Sequence, residues 1–114
     1  MNNTHENGKK LELYVAEMLQ EIFLETPPIR PTKASSGGSH NTETADINSQ
    51  NVFVECKNHN KGWFEKKVWE KLITSIPFGS QKPPMYVVEN FVGNRLIMLN
   101  FEDLCRLLKR RKDV

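Results

Sequence analysis

Four side chains have the types and spacing for chemistry on a phosphate: Glu12, Asp46, Glu55 and Lys57. Two of them sit in the stretch VFVECKNHN, residues 52–60. Its β-branched, apolar character predicts a strand, whose successive side chains point to opposite faces. Glu55 and Lys57 then share a face with Phe53, roughly 6.5 Å apart, while Val52, Val54 and Cys56 take the other. A carboxylate and an ammonium on a face shared with Phe53 call for partners. Two arrangements meet that need: a structural ion pair, which contributes little at a surface, or an external group such as a metal ion between them.

Asp46 lies nine residues before Glu55, across the polar turn at 48–51. A hairpin there brings the two carboxylates together. Hard oxygen ligands of this kind suit Mg²⁺, which takes one or two carboxylates and keeps several waters; Mn²⁺ is expected to substitute. A cation so held polarises a scissile phosphate and lowers the pKa of a bound water. Lys57 stands where it can orient that water or neutralise charge in the transition state.

The elements that must position these groups are legible in the periodicity. Residues 8–25 predict a helix, with Leu11, Tyr14, Val15, Met18, Leu19, Ile22 and Phe23 forming one buried stripe. Thr26, Pro27 and Pro28 end it. At 100° per residue, Glu12 lies about 75° from the centre of that stripe, Glu21 about 105° and Glu17 about 145°. Glu12 is therefore the helix acid expected at the site, and the other two are expected in solvent.

Residues 29–36 predict a short irregular strand weakened by Pro31, and Ala45-Asp46-Ile47 leads into another. Residues 63–76 predict a second helix, burying Phe64, Val68, Trp69, Leu72, Ile73 and Ile76. MYVVEN and RLIML predict two strands around an FVGN turn in which Gly93 or Asn94 takes positive φ. Asn100 reads as the cap of a last helix with acids in its first turn and bases in its last. The order α-β-β-β-α-β-β-α predicts an α/β fold, a short mixed sheet flanked by helices.

This constellation resembles the PD-(D/E)XK nuclease superfamily, with its restriction-endonuclease-like fold. The matching positions are Glu12 on the first helix, Asp46 at a strand end and ECK at 55–57. SSGGSHNTETADI followed by VFVECK looks most like the archaeal and phage Holliday-junction-resolvase-like branch, and GKKLELYVAEML is similar to its first helix. The residue before Asp46 is Ala45 rather than the proline of the family's name. The resemblance covers most of the chain, from about residue 8 to the final helix. It implies a Mg²⁺-dependent DNA endonuclease working as a two-fold homodimer. Asp46, Glu55 and the Cys56 backbone carbonyl would bind metal, Glu12 would complete the acidic site directly or through water, and Lys57 would assist the water. The alternatives are another nicking, flap or restriction-type nuclease of the same fold, or a non-catalytic DNA-binding module.

Candidate DNA contacts are Ser36, Gly37, Gly38 and Ser39, with His59, Lys61, Lys66 and Lys67, and Lys71 beside them. Each has a plain alternative: the Ser/Gly run as a flexible loop, His59 as a loop histidine, the lysines as a solvated helix face with i,i+4 pairs. His5 and His40 are read as surface histidines. The terminal KRRK at 109–112 complements a helix C-terminus as readily as it meets DNA. Trp69 belongs to the second helix's buried side, and Trp63 is expected to be partly exposed. Cys56, Cys105 and His59 match no zinc-ligand spacing, and both cysteines read as reduced core thiols.

At 114 residues the chain is expected to be one domain, 1–114, with residues 1–7 a flexible N-terminus. Hydrophobic content of 38% and charged content of 26% exclude a disordered chain. No apolar run approaches the roughly 18–20 residues of a membrane span, and MNNTHENGKK has no signal-peptide core. The expected location is the cytoplasm, or the host cytoplasm for a phage protein. Residues 1–50 hold four Lys/Arg against seven Asp/Glu, and residues 51–114 hold twelve against seven. That asymmetry suits a metal site beside a phosphate-binding surface and an ordinary surface alike.

Overall fold

The structure, a computed structural model, describes residues 4–32, 45–58 and 63–112. Its elements are α1 (Thr4–Phe23), β1 (Arg30–Pro31), β2 (Ile47–Asn48), β3 (Phe53–Asn58), α2 (Lys66–Ser75), β4 (Pro84–Glu89), β5 (Arg95–Leu99) and α3 (Phe101–Lys112). This is the order expected from periodicity. Helix α1 begins at Thr4, so residues 4–7, expected in a flexible N-terminus, are helical. It ends at Phe23, where Leu24 takes a left-handed φ of 50° and its N–H bonds the Gln20 carbonyl at 2.9 Å.

The five strands form one mixed sheet in the order β1-β2-β3-β4-β5. Strands β3 and β4 run parallel, connected through α2, and the other three pairings are antiparallel. The alternation in β3 sorts the core into two layers. Val52, Val54 and Cys56, with Met85 and Val87, pack against Leu11, Val15, Ala16 and Leu19 of α1 and Leu107 of α3. Phe53, Tyr86 and Val88 pack against Leu72 of α2 and the partly buried Phe64, Val68 and Trp69. Phe64 meets the Tyr86 ring edge to face at 5.2 Å, and the Tyr86 hydroxyl accepts the Glu65 N–H at 3.2 Å, anchoring the start of α2.

Several expected core positions lie outside this packing. Tyr14, Met18 and Ile22 keep 41–44% of their surface exposed. The apolar stripe of α1 is wider than the strip of sheet beneath it, and only its Leu11, Val15 and Leu19 side is covered. Ile73 is likewise exposed, because α2 meets the sheet through Leu72. Cys105, expected in the core, is exposed on α3, while Cys56 is buried as expected. Trp63 is 42% exposed, and Gly93 takes the positive φ, 87°, at the β4–β5 turn. Among the described residues no helix is long and apolar enough to cross a membrane.

Candidate active site

Asp46 is held by backbone on both sides. Its N–H donates to the Val54 carbonyl at 2.9 Å, and its carbonyl accepts from the Thr32 N–H at 3.0 Å. Because Ile47 pairs with Val54, the antiparallel register sets Asp46 opposite Glu55. The pairing then opens, and the Cys56 N–H donates to Asp46 Oδ2 at 2.9 Å. Alternate residues of a strand direct their backbone groups to the same edge, so the Cys56 carbonyl points toward Asp46's edge as well.

Glu55 and Lys57 occupy the Phe53 face of β3, as the alternation predicted. With Asp46 they line a cleft of about 430 Å³ closed on its far side by Lys67, Val68, Lys71, Leu72 and Ser75 of α2. Lys57 Nζ stands 3.7 Å from Glu55 Oε2. One lysine is therefore set against two converging carboxyl groups. Burial is the largest influence on Glu55 and, with the Asp46 charge, pushes its carboxyl up to about 7 against the pull of Lys57 and Lys71. Asp46 is also raised by burial, partly offset by the Cys56 N–H and by its hydrogen bond with the Glu55 carboxyl.

Glu12 lies on α1, which packs on the Val54 and Cys56 face of β3, and it does not line the cleft. Burial, then the Asp46 charge, raise it to about 7, with Lys9 and Lys57 opposing. The Cys56 thiol is pushed well above its ordinary value by burial and then by Asp46, Glu12 and Glu55. Three acids near β3 are thus raised, Glu12 and Glu55 to about 7 and Asp46 from its ordinary value. Asp46 acts on both Glu12 and Glu55, and Lys57 opposes the rise of all three acids.

Among the described residues no group of three or more His, Cys, Asp or Glu stands ready to hold a metal ion. The oxygen donors that do converge are the Asp46 and Glu55 carboxylates, with the Cys56 carbonyl on the same edge. That set fits Mg²⁺, which needs no all-protein cage and completes its shell with water.

Of the expected DNA contacts, Lys67 lines the cleft and Lys71, one turn on, lines it too. Lys66 does not; its side chain is 86% exposed and lies 3.9 Å from Glu70. Ser36, Gly37, Gly38, Ser39, His59 and Lys61 lie outside the described residues, as does His40.

A second buried acid has no counterpart among the residues that the sequence marks out. Glu25 is 7% exposed. It accepts from Ser49 Oγ at 2.5 Å, the Gln50 N–H at 2.8 Å and Asn51 Nδ2 at 2.7 Å. Gln20 adds a strut, donating to the Glu25 carbonyl at 3.0 Å and accepting from the Ile29 N–H at 2.9 Å. The only signal in the sequence is an acid directly before Thr-Pro-Pro and a run of amide and hydroxyl residues at 48–51. The partners are 24 to 26 residues apart, beyond any periodicity.

No family model, curated protein or solved structure matches this chain.

Proposed function

We propose that the protein is a Mg²⁺-dependent DNA endonuclease with a restriction-endonuclease-like fold, of the Holliday-junction-resolvase-like type, acting in the cytoplasm of a prokaryote or of a phage's host. One observation carries this reading. Asp46 and Glu55 are opposed across the β2–β3 pairing, in a cleft that carries Lys57 beside Glu55 and Lys67 and Lys71 on the facing helix. Burial raises both carboxyl groups even with Lys57 beside them, and a perturbed pair of this kind in a cleft is a mark of a functional site. Lysines on the facing helix supply an anionic substrate with a place to lie.

Asp46, Glu55 and the Cys56 carbonyl would hold the cation, with Glu12 reaching it through water, and Mn²⁺ would substitute. Bound there, the cation supplies Lewis-acid polarisation of the phosphate and a more acidic water. Lys57 orients the attacking water and offsets the charge that builds on the phosphate oxygens. Lys67 and Lys71 grip flanking phosphates, which positions the backbone without reading bases.

The deciding measurement is a cleavage panel of four-way junction, flap, nicked duplex, intact duplex and single-stranded DNA, with Mg²⁺ and with EDTA. Paired symmetric nicks on the junction, lost in EDTA, are expected. Cleavage of flap or duplex in preference to the junction would reassign the substrate within the same chemistry. No cleavage of any substrate, with DNA still bound, would replace the enzyme by a binding module.

A further inference from the structure

The two edges of the sheet are built differently. Strand β1 is two residues long and contains Pro31, both of which discourage further pairing. Strand β5 is five residues long, pairs with β4 without a bulge from Arg95 to Leu99, and carries neither lysine nor proline. Its Leu96 and Ile97 are 44% and 51% exposed, one on each face of the sheet. A long, regular, apolar edge of this sort is a template for another strand.

On the Ile97 face this edge borders a groove of about 340 Å³ between α1, β5 and α3. Tyr14 and Met18 line one wall and Leu104 and Leu108 the other, at 41%, 43%, 40% and 56% exposure. Among the described residues Arg95 is the only charged one lining it, and it is already engaged. Its Nε lies 2.9 Å from a Glu89 carboxylate oxygen, and its guanidinium stacks 4.2 Å over the Tyr14 ring. The groove thus offers a polar small molecule nothing to bind, and an apolar surface a great deal.

The sequence of the edge identifies the occupant. Residues 94–100 read Asn-Arg-Leu-Ile-Met-Leu-Asn, symmetric in polarity about Ile97 except for the single arginine. Antiparallel pairing about a two-fold axis at Ile97 sets Leu96 against Met98, Asn94 against Asn100 and Arg95 against Leu99. No like charges meet, and the apolar centre meets itself. Leu96 and Phe101, 44% and 70% exposed, extend this apolar surface along β5 and into the start of α3.

We propose that a second copy of this chain pairs its β5 antiparallel to β5 about Ile97, joining the two sheets into one and closing both grooves. A two-fold homodimer is what the nuclease resemblance implies; β5 as its interface rests on the strand edge and groove alone and uses no residue of the cleft.

Sedimentation velocity of the full chain without DNA tests it. Wild-type protein should run at twice the chain mass at micromolar concentration. Ile97→Lys and Leu108→Glu should each weaken association by about 100-fold or more. Both residues are half-exposed, so an unchanged circular dichroism spectrum separates dissociation from unfolding. The register has its own check in a Cys105→Ser background. Directly opposed strand residues sit about 4.5–5.5 Å apart at Cα, within disulfide reach. Ile97→Cys should therefore cross-link across the axis under mild oxidation, and Leu99→Cys should not. A wild-type monomer, a dimer indifferent to both charge variants, or a dimer in which Ile97→Cys fails to cross-link would each overturn the proposal.

Discussion

Glu25, in the connection between α1 and β1, and Glu55, in β3, are both shielded acids, and their surroundings push them in opposite directions. Burial opposes ionisation of Glu25, but the Ser49 hydroxyl, the Gln50 N–H and Asn51 outweigh it and hold the carboxyl below its ordinary range. Glu55 has Asp46 beside it and Lys57 at 3.7 Å, and it is raised to about 7. The first carboxylate is complete: fixed neutral donors occupy its oxygens, and its task is to pin the end of α1 to the β2–β3 turn. The second shares a hydrogen bond with the Asp46 carboxyl and an ion pair with Lys57, and burial, then the Asp46 charge, hold it above its ordinary value. The two acids thus differ in what occupies their oxygens, with burial common to both.

The largest expected effect separates the two directly. Asp46→Ala or Glu55→Ala should lower Mg²⁺-dependent cleavage by about 10³-fold or more, while the metal-free variant melts no lower than wild type at pH 8. Cleavage within tenfold of wild type by both variants would remove these residues from the site. Glu25→Ala should do the reverse. It leaves the Ser49, Gln50 and Asn51 donors without their acceptor, at a cost of about 3 kcal/mol, or roughly 10–15 °C in Tm. Cleavage per folded molecule should be retained; a selective loss of activity without loss of stability would make Glu25 part of the site after all.

The pH dependence of stability sharpens the contrast. Glu12 and Glu55 have folded-state values near 7, above the ordinary 4.5. Their favourable contribution is complete below pH 4.5 and is lost as pH rises through about 7. Glu25, being lowered, contributes above its ordinary value and loses that contribution as pH falls through its folded value. Urea unfolding of metal-free protein across pH should therefore decline on the neutral side. Glu12→Gln and Glu55→Gln should flatten that side, and Glu25→Gln only the acid side. A neutral-side decline unchanged in both site variants would contradict the crowding of the three acids.

The smallest effect lies on the facing helix. Lys67→Ala and Lys71→Ala should each reduce the salt dependence of DNA binding by about one counterion, with Lys66→Ala close to wild type. Equal effects of all three in a filter-binding titration would mean that the cleft wall holds no phosphate.

Relations between residues near one another in the chain, or linked by a simple period, are legible in the sequence. The order of eight elements, the opposition of Asp46 and Glu55 across a short hairpin and the shared face of Glu55 and Lys57 follow from alternation, turn residues and proline. Glu12 follows from its angle to the apolar stripe. What the stripe does not reveal is its partner. Tyr14, Met18 and Ile22 have the period of a buried face, yet whether sheet, solvent or a second molecule covers them depends on how wide the sheet beneath α1 is. Cys105 and Ile73 depart from expectation for the same reason, since amphipathic spacing marks a side of a helix and leaves its docking angle open.

The sequence by itself determined which local elements form and which acids can meet across one turn, because those relations span a few residues and obey the geometry of a single helix or strand. Only the tertiary structure decided that Glu25 is lowered by neutral donors while Glu55 is raised by burial and Asp46, that Lys71 faces the cleft while Lys66 faces away, and that β5 is left as an open apolar edge. Each of these depends on packing between segments far apart in the chain, where charge, burial and donor supply are set by neighbours that no local period encodes.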